Sequence, residues 1–376
     1  MNGNNDKVVN AGEVGPEFAE RRTGHVSRRD RRQGSALGGV VHGLEVHAIP
    51  GASNLLQIEA GLAISGNGEP LALDNPLRLR LAPGVGETGF AMDQGEGYYL
   101  ISLAPAAGPS GEQAQEIGSK ARLIAHGTRW RKDDLGVRID RIPATALPTT
   151  LRGTPPADPA ASSRARSLLA KLCLGKTPDS TSRGRPPDDL LQTAGFATAE
   201  RVALAVVAWS NEGVRFIDRW AVRRDAAPDR HRPYTARAEA MRRQFQEHLD
   251  ELLLTLKSTG SDAASLVAGE WFAWLPAVGI LPRADTESGL SAKVFFSTLP
   301  ARSLFLAHAE LESILRDGMA CPPIDLTAAA PQPVWLYQLF EDRKVLVYAS
   351  GHLPPVNPAQ LDLARYDAAL YPDGEQ

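Results

Sequence analysis

The strongest constraint on the fold is an alternation of apolar and polar residues between positions 56 and 81. The apolar members are Leu56, Ile58, Ala60, Leu62 and Ile64, then Leu77, Leu79 and Leu81. A period of two places such side chains on one face of an extended chain, as a strand with one buried face requires. Asn67-Gly68 lies between the two runs, and this dipeptide tolerates the positive φ angles of a two-residue hairpin turn. The sequence therefore predicts paired strands here.

Further strands are predicted downstream. Residues 98–103 are aromatic and β-branched, and residues 121–125 and 137–142 have a similar character. Residues 202–209 are almost continuously apolar, as expected for a strand that is covered on both faces. A turn at residues 211–213 would return the chain through a strand at 214–218, which makes a second hairpin. Together these segments predict a β-sandwich-like domain over residues 37–225.

A proline-rich insertion at about residues 143–189 interrupts this domain. Within it Leu168, Leu169, Leu172 and Cys173 have the spacing of one helical face. Prolines favour extended chain and remove backbone donors, so the insertion is interpreted as a loop, a short helix and a loop. We expect it to be a contact or flexible element and not part of the core.

The best helix pattern runs from Thr235 to Lys257, with Thr235 as the candidate N-cap and Gly260 as the stop signal. Its apolar stripe consists of Met241, Phe245, Leu249, Leu252, Leu253 and Leu256. The protein's own core is expected to cover this stripe, with a partner helix as the alternative.

The last third of the chain predicts a small α+β domain. Residues 271–282 place aromatics between prolines, which favours a buried, irregular segment or an interface anchor. Residues 304–315 have a helical spacing that ends at Gly318, and residues 334–340 and 345–348 form a hairpin around a turn at 341–344.

The predicted fold class is thus mixed and mainly β, in five segments. These are an N-terminal arm (1–36), the β-rich domain with its insertion (37–225), an amphipathic helix (226–260), the small α+β domain (261–351) and a C-terminal tail (352–376). The arm carries the basic clusters 21–22 and 28–32. A solvated or partner-packed surface is a simpler interpretation of these clusters than a contact with phosphate.

Charge and composition argue against several classes of function. The formal net charge is −3, so no general excess of positive charge favours nucleic acid. No apolar run is long enough to cross a bilayer, and the first residues lack the apolar stretch of a secretion signal, which predicts synthesis in the cytoplasm. The two cysteines, Cys173 and Cys321, are far apart and are expected to be buried small hydrophobes.

No reactive motif emerges from the sequence. His42 and His47 would lie on opposite faces of one strand, so even with His25 or Glu45 they make a poor metal site. There is no Gly-x-Ser-x-Gly motif, and Gly66-Asn67-Gly68 lacks the Lys-Ser/Thr of a phosphate loop. The carboxylate pairs 133–134, 188–189 and 341–342 lie in predicted turns. We therefore expect no catalytic, cofactor-binding or metal-binding residues and no cofactor, and we do not expect an enzyme.

Three stretches together resemble a family of baseplate-associated proteins from phage tails and contractile injection systems. The first joins residues 39–46 (GVVHGLEV) to residues 58–73 (IEAGLAISGNGEPLAL), the second is residues 98–101 (YYLI), and the third comprises 202–205 (VALA), 216–218 (FID) and 222–224 (VRR). The likeness spans about residues 38–224. Glu69-Pro70 and the long proline-rich insertion depart from the family pattern.

This resemblance implies a structural subunit in or around the baseplate, with other baseplate, sheath, tube or fibre proteins as partners and several copies per particle. Such a protein would be made in the cytoplasm and then join a phage-tail-like particle. The alternatives are a carbohydrate- or cell-surface-binding module of a tail fibre and, less favoured, a hydrolase whose site is assembled from distant residues.

Overall fold

The computed structural model describes most of residues 38–350. The described ranges are 38–52, 54–82, 90–91, 95–105, 135–174, 190–226, 233–283, 289–306, 309, 311–319, 321–329, 333–339 and 345–350. The predicted arm and tail, the predicted strand at 121–125 and the turn at 341–344 lie outside these ranges.

The first part of the described chain consists of short strands in two small sheets. One sheet has the order β1-β4-β5 and the other the order β2-β3-β6-β7. Their bounds are β1 (Gly39–Gly43), β2 (Val46–Ala48), β3 (Leu55–Ile58), β4 (Gly61–Ile64), β5 (Pro70–Leu73), β6 (Leu77–Ala82) and β7 (Phe90–Ala91). The predicted hairpin around Gly68 is confirmed, since β4 and β5 pair antiparallel, but its loop is longer than two residues because the pairing ends at Ile64 and Pro70.

The prediction of one continuous strand over residues 56–64 is wrong. The chain turns a corner between β3 and β4, and β1 and β2 turn the same corner alongside them, so that the halves of one hairpin lie in different sheets. Gly43 and Leu44, which lie at this corner, both have φ of 62°. Strands that change sheets at a bend are a known way of building the corners of β-sandwiches.

A larger antiparallel sheet of order β11-β10-β8-β9 forms the centre of this part. Its strands are β8 (Gly97–Pro105), β9 (Leu135–Arg141), β10 (Val202–Ser210) and β11 (Gly213–Asp218). Residues of β10 point to two different cores: Leu204, Val207 and Trp209 pack toward the small sheets, while Val206 and Ala208 pack toward the helices. The prediction that this strand is covered on both faces is confirmed.

The helical part of the proline-rich insertion belongs to the core, so the prediction of a peripheral contact element was wrong. Helix α1 (Pro159–Leu174) packs against the central sheet together with α2 (Leu190–Thr193), and Leu169, Ala170 and Cys173 are fully buried there. The apolar spacing correctly predicted a helix. The prolines on either side of that helix led to the incorrect expectation that it would lie outside the core.

The long helix α3 (Pro233–Thr259) joins the first core to a second one. Met241 packs with α1 and the central sheet, whereas Phe245, Leu249 and Leu252 pack in the second core, so the expectation of an intramolecular cover is confirmed. The helix begins at Pro233, two residues before the predicted N-cap Thr235, because proline suits the first turn. It ends before Gly260, whose φ is 71°.

The second core surrounds a sheet of order β13-β17-β16-β14. Its elements are α4 (Ala268–Trp271), β12 (Trp274–Leu275), β13 (Val278–Pro282), α5 (Ala292–Phe295), β14 (Ala301–Leu306), α6 (Leu311–Gly318), β15 (Ile324–Asp325), β16 (Val334–Leu339) and β17 (Val345–Ser350). The hairpin of β16 and β17 is confirmed. The predicted helix over 304–315 is partly wrong: Leu304 and Phe305 belong to β14, which runs parallel to β16, and the helix starts only at Leu311.

Residues 271–282 are buried as predicted but are not irregular. They form the end of α4 and the strands β12 and β13, with Phe272, Trp274 and Leu275 each at most 1% exposed. The fold class is mixed and mainly β, with several sheets, as predicted. Cys173 and Cys321 are free and buried. None of the helices in the described ranges combines the length and the apolar character that crossing a bilayer requires.

Candidate functional site

The segments that carry the family resemblance lie against one another. The amide of Val40 in β1 donates to the carbonyl of Arg224 at 2.8 Å, and the amide of Ala226 donates to the carbonyl of Val40 at 2.8 Å. A Cβ atom added to Gly39 would lie 2.7 Å from the carbonyl oxygen of Arg224, too close for any side chain. The GVVHGLEV and VRR stretches are therefore neighbours through their backbones, and the glycine permits that approach.

The hairpin loop between β4 and β5 is fixed in the same way. The amide of Asn67 donates to the carbonyl of Ala199 at 3.1 Å, just before β10 begins. A Cβ on Gly66 would lie 2.9 Å from that same oxygen. The YYLI stretch pairs directly with β10, with Tyr99 opposite Val207 and Leu100 opposite Val206. All three stretches thus belong to one packed body.

At the edge of this body lies a group of charged and aromatic side chains, which we name the arginine–tryptophan corner. It consists of Glu45, Trp220, Arg223, Asp225 and Arg243. The guanidinium carbons of Arg223 and Arg243 lie 5.6 and 5.0 Å from the ring centre of Trp220, within the range of a cation–π interaction. The residues come from the β1–β2 corner, the segment after β11 and α3.

Arg223 is poorly paired for a buried cation. It is 6% exposed, and its closest carboxylate oxygens are those of Glu45 at 3.6 Å and Asp225 at 3.9 Å. Its Nε and Nη1 atoms have no hydrogen-bond partner among the described residues. Burial lowers the pKa of Arg223; Glu45 and Asp225 oppose this change, and Arg219 and Arg243 add to it. The charge of this guanidinium is therefore only partly compensated.

Arg243 is better paired. It contacts Asp225 at 2.7 Å and Glu239 at 3.0 Å. Burial would lower the pKa of Arg243, but its hydrogen bonds to Glu239 and Asp225 raise it overall. For Glu239, burial would raise the pKa, but hydrogen bonds from Arg242 and Arg243 hold it below its usual value. These pairs attach α3 to the segment that follows β11.

A second group of polar residues is enclosed between α1, α3 and β11, and we name it the buried polar cluster. It contains Ser163, Arg166, Asp218, Gln244, His248 and Glu251. Arg166 is 4% exposed; its Nε donates to Asp218 at 3.1 Å, and its Nη1 donates to Glu251. Asp218 also accepts from Gln244 Nε2 at 2.7 Å and from the amide of Ala221 at 2.9 Å. Burial would lower the pKa of Arg166, but Asp218 and Glu251 raise it.

Ser163 and His248 form a hydrogen-bonded pair, Oγ to Nε2 at 2.8 Å, inside this cluster. Both are almost fully buried, the His248 ring packs edge-on against Phe272, and its Nδ1 has no partner among the described residues. A serine nucleophile needs access to substrate and an acidic group on the second nitrogen of its histidine. Here the nearest charge is the cation of Arg166, which disfavours a protonated imidazole. The pair therefore suits a structural junction better than acyl transfer.

Acid is expected to weaken this junction through His248. Burial, and secondarily Arg166, hold the pKa of His248 well below its ordinary value of 6.5. The unfolded chain therefore binds one more proton than the folded chain below pH 6.5, so stability is present above that pH and falls as the pH drops through it. Between pH 7 and pH 5 the loss from this residue alone is at most about 2 kcal/mol.

Urea denaturation of the wild type and of His248→Gln at both pH values measures this loss. Glutamine cannot take up the proton, so the variant should be less stable at pH 7 but should lose less stability than the wild type, by up to about 2 kcal/mol, on going to pH 5. His42→Gln, at an exposed position, is the control and should behave as the wild type. Parallel pH dependences for the wild type and His248→Gln would contradict the assignment.

The residues weighed in the sequence do not converge. His42 and His47 lie on β1 and β2, in different sheets, and not on two faces of one strand as predicted; His47 instead pairs with Glu59 at 3.0 Å. Glu45 faces Arg223. His25 and the carboxylate pairs 133–134, 188–189 and 341–342 lie outside the described ranges. Within those ranges no three His, Cys, Asp or Glu side chains are placed to hold a metal ion.

Sequence reasoning missed both polar groups, although a weak signal was present. Gln244, His248 and Glu251 follow one another at helical steps of four and three, interleaved with the apolar stripe of α3. On α1, Ser163, Arg166 and Ser167 are spaced by three and one residues, which also places them on one face of the helix. Polar residues within an apolar stripe indicate a buried polar contact between two helices, but the sequence does not say which helices meet.

Comparisons with protein-family models, curated proteins and solved structures found no significant match to this chain.

Proposed function

We propose that the chain is a structural subunit of a contractile phage-tail-like injection system, in or around the baseplate, where it docks neighbouring baseplate or fibre subunits. The observation that supports this most is the packing of the three stretches that resemble baseplate-associated proteins. The first and third stretches are about 130 residues apart in the sequence, yet Gly39 lies against the backbone of Arg224. The second and third stretches pair through Ile101 and Ala205.

A rigid body is consistent with this role. The central sheet is covered on both faces. Helix α1 is also tied to the strands β12 and β15: Trp274 Nε1 donates to the carbonyl of Ser167, and Lys171 contacts Asp325 at 2.8 Å. Subunits of a contracting particle must transmit force to their neighbours. A densely packed interior has low compressibility and suits that task.

The arginine–tryptophan corner supplies a candidate docking surface. Tryptophan and arginine are the residues that most often dominate the binding energy of protein interfaces. Trp220 is only partly buried, and Arg243 and Asp225 remain about half exposed beside it. Arg223 of the corner is also part of the stretch 222–224, one of those that resemble baseplate-associated proteins.

Co-purification tests the proposal. The full chain, tagged and expressed from its native gene cluster, is expected to recover sheath, tube or baseplate proteins, and electron microscopy of the recovered material should show tail-like particles that carry it. If the chain is recovered alone from cells that assemble such particles, the proposal is overturned.

The alternatives predict different results. A carbohydrate-binding module would bind a glycan array without recovering sheath or tube, and a hydrolase would turn over ester, amide or glycoside substrates. Within the described ranges, the Ser163–His248 pair is the one observation in favour of a hydrolase, and the burial of the pair weighs against that activity. Turnover that is abolished by Ser163→Ala, in a chain that joins no particle, would favour the hydrolase.

A further inference from the structure

We propose that strand β9 (Leu135–Arg141) pairs with the same strand of a second copy of this chain, antiparallel and about a two-fold axis. The central sheet would then continue from one copy into the other. This inference goes beyond the proposed function, because a contact between two copies does not depend on which particle the chain joins.

Strand β9 lies at one edge of the central sheet, whose order is β11-β10-β8-β9. It is seven residues long, and six of these residues are partly exposed. The edge strand β5, by comparison, has four residues and begins with Pro70, which has no backbone donor. A long edge strand presents a row of backbone donors and acceptors with which another strand can pair.

The phase of the hydrogen bonds shows which backbone groups of β9 face away from β8. The amide of Ile142, just after the strand, donates to the carbonyl of Tyr98 at 2.8 Å. Along an antiparallel pair, alternate residues direct their backbone groups to the neighbouring strand, and the residues between them direct theirs away from it. The outward-directed residues are Leu135, Val137, Ile139 and Arg141. Their outward amides and carbonyls have no partner among the described residues, so a second strand can pair with them.

The charges of β9 favour pairing with a copy of itself in one register. Arg138 and Asp140 flank Ile139 and project from the same face of the sheet. In a two-fold pair centred on Ile139, each Arg138 lies opposite Asp140 of the second copy, at a position where Cα atoms are about 4.5 Å apart. Centring the pair on Arg138 or on Asp140 would instead place like charges opposite each other, which is destabilising. Charges that repel a shifted register therefore favour this one.

Both charged side chains are able to make the new contact. Arg138 has no hydrogen-bond or ion-pair partner within the described part of the chain. Asp140 is 27% exposed and contacts Arg201 through Oδ2, while its Oδ1 has no partner in the described ranges. Asp140 can therefore keep its contact with Arg201 and also accept a hydrogen bond from Arg138 of the second copy.

The opposite face of β9 supplies apolar contact at the two-fold axis. Ile139 is partly buried and packs against the core between the central sheet and the small sheets. In the same register the two Ile139 side chains lie opposite each other, and each covers the exposed part of the other. A second copy thus matches the backbone groups, the charges and the apolar residue of this edge with one short sequence.

Analytical ultracentrifugation of the full chain over a range of concentrations tests the association. We expect a monomer–dimer equilibrium with a Kd of about 1 to 100 µM, because a single strand pair buries less area than a permanent interface. Arg138→Glu should raise this Kd by about tenfold, since it turns two pairs of opposite charge into two pairs of like charge. Arg78→Glu, the same charge change at an exposed position of β6, is the matched control and should leave the Kd unchanged.

Cross-linking tests the register. Ile139→Cys should form a disulfide between two copies in oxidised glutathione, since residues opposite each other at the two-fold axis have Cα atoms about 5.5 Å apart. Val137→Cys should not, because the two cysteines would be offset by four residues, about 13 Å. Ala72→Cys, exposed on the edge strand β5, is the control for random collision. The native Cys173 and Cys321 are buried.

The inference is overturned if the chain remains monomeric at about 300 µM, or if a dimer forms whose Kd is unchanged by Arg138→Glu. It is also overturned if Ile139→Cys cross-links no better than Val137→Cys and Ala72→Cys. The cross-linking result decides the matter even if Arg138→Glu fails to fold. Failure here, with sheath and tube still recovered by the tagged chain, would reject only this contact between copies and leave the assembly function standing.

Discussion

Replacing Asp218 with alanine is expected to lower the free energy of unfolding by about 3–5 kcal/mol. Asp218 is 1% exposed and is the buried partner of the Arg166 guanidinium. Without it, Arg166 keeps only its contact with Glu251 among the described residues, and Glu251 is 52% exposed. The donors of Gln244 and Ala221 lose the acceptor that Asp218 provides. A buried charge without its partner costs far more than the ion pair itself contributes.

Urea denaturation followed by tryptophan fluorescence measures the effect. Glu212→Ala is the matched control, because Glu212 also pairs with an arginine, Arg215, but is 76% exposed; its loss should cost at most about 0.5 kcal/mol. The double variant Arg166→Met with Asp218→Leu should recover a large part of the stability, because it removes both charges. If Asp218→Ala cost no more than Glu212→Ala, the buried polar cluster would not have the role assigned to it.

Replacing Gly43 with alanine is expected to cost more than about 3 kcal/mol. Gly43 has φ of 62°, and a Cβ there would lie 2.0 Å from the carbonyl oxygen of Ala60, in the bend between β3 and β4. The left-handed conformation alone costs about 1–2 kcal/mol for a residue with a side chain. The clash must in addition push apart β1 and β4, which pair at Gly43 and Gly61 at the corner between the two small sheets.

Gly51→Ala separates the two contributions. Gly51 has φ of 78°, but a Cβ added there would have no atom within 4 Å, so only the backbone cost of about 1 kcal/mol is expected. Thermal unfolding monitored by circular dichroism compares the variants. Equal losses for Gly43→Ala and Gly51→Ala would show that the close approach of the strands at the corner contributes nothing to stability.

Local pattern predicted most of the secondary structure. The sequence correctly predicted the strand at 202–209, its hairpin with β11, the hairpin of β16 and β17, and the long helix α3. In each of these segments the period of the apolar residues matches the element that forms. Errors arose where a pattern was compatible with two structures. Leu304 and Phe305 fit the spacing of the following helix, but they belong to the edge strand β14, which pairs with β16 and in which Phe305 is buried.

The candidate sites were not predictable in the same way. Arg166, Asp218 and His248 come from three elements separated by up to 82 residues, and nothing in the sequence near any of them identifies the others. The corner of Trp220, Arg223 and Arg243 likewise depends on where α3 crosses the segment after β11. Burial of a charge is a property of the packed fold. In the sequence it is indicated only weakly, by polar residues within the apolar stripe of a helix.

Local sequence is enough to specify most of the strands and helices and which of their faces are apolar, because these properties depend on residues within a few positions of one another. The packed fold was needed to show that the 56–64 run bends between two sheets and that α1 is a core helix. It was also needed to pair Arg166 with Asp218 while leaving Arg223 with only long contacts. The physical reason is that close backbone approach and charge compensation are contacts between distant parts of the chain, and their energies are set by burial, which exists only once those parts have packed.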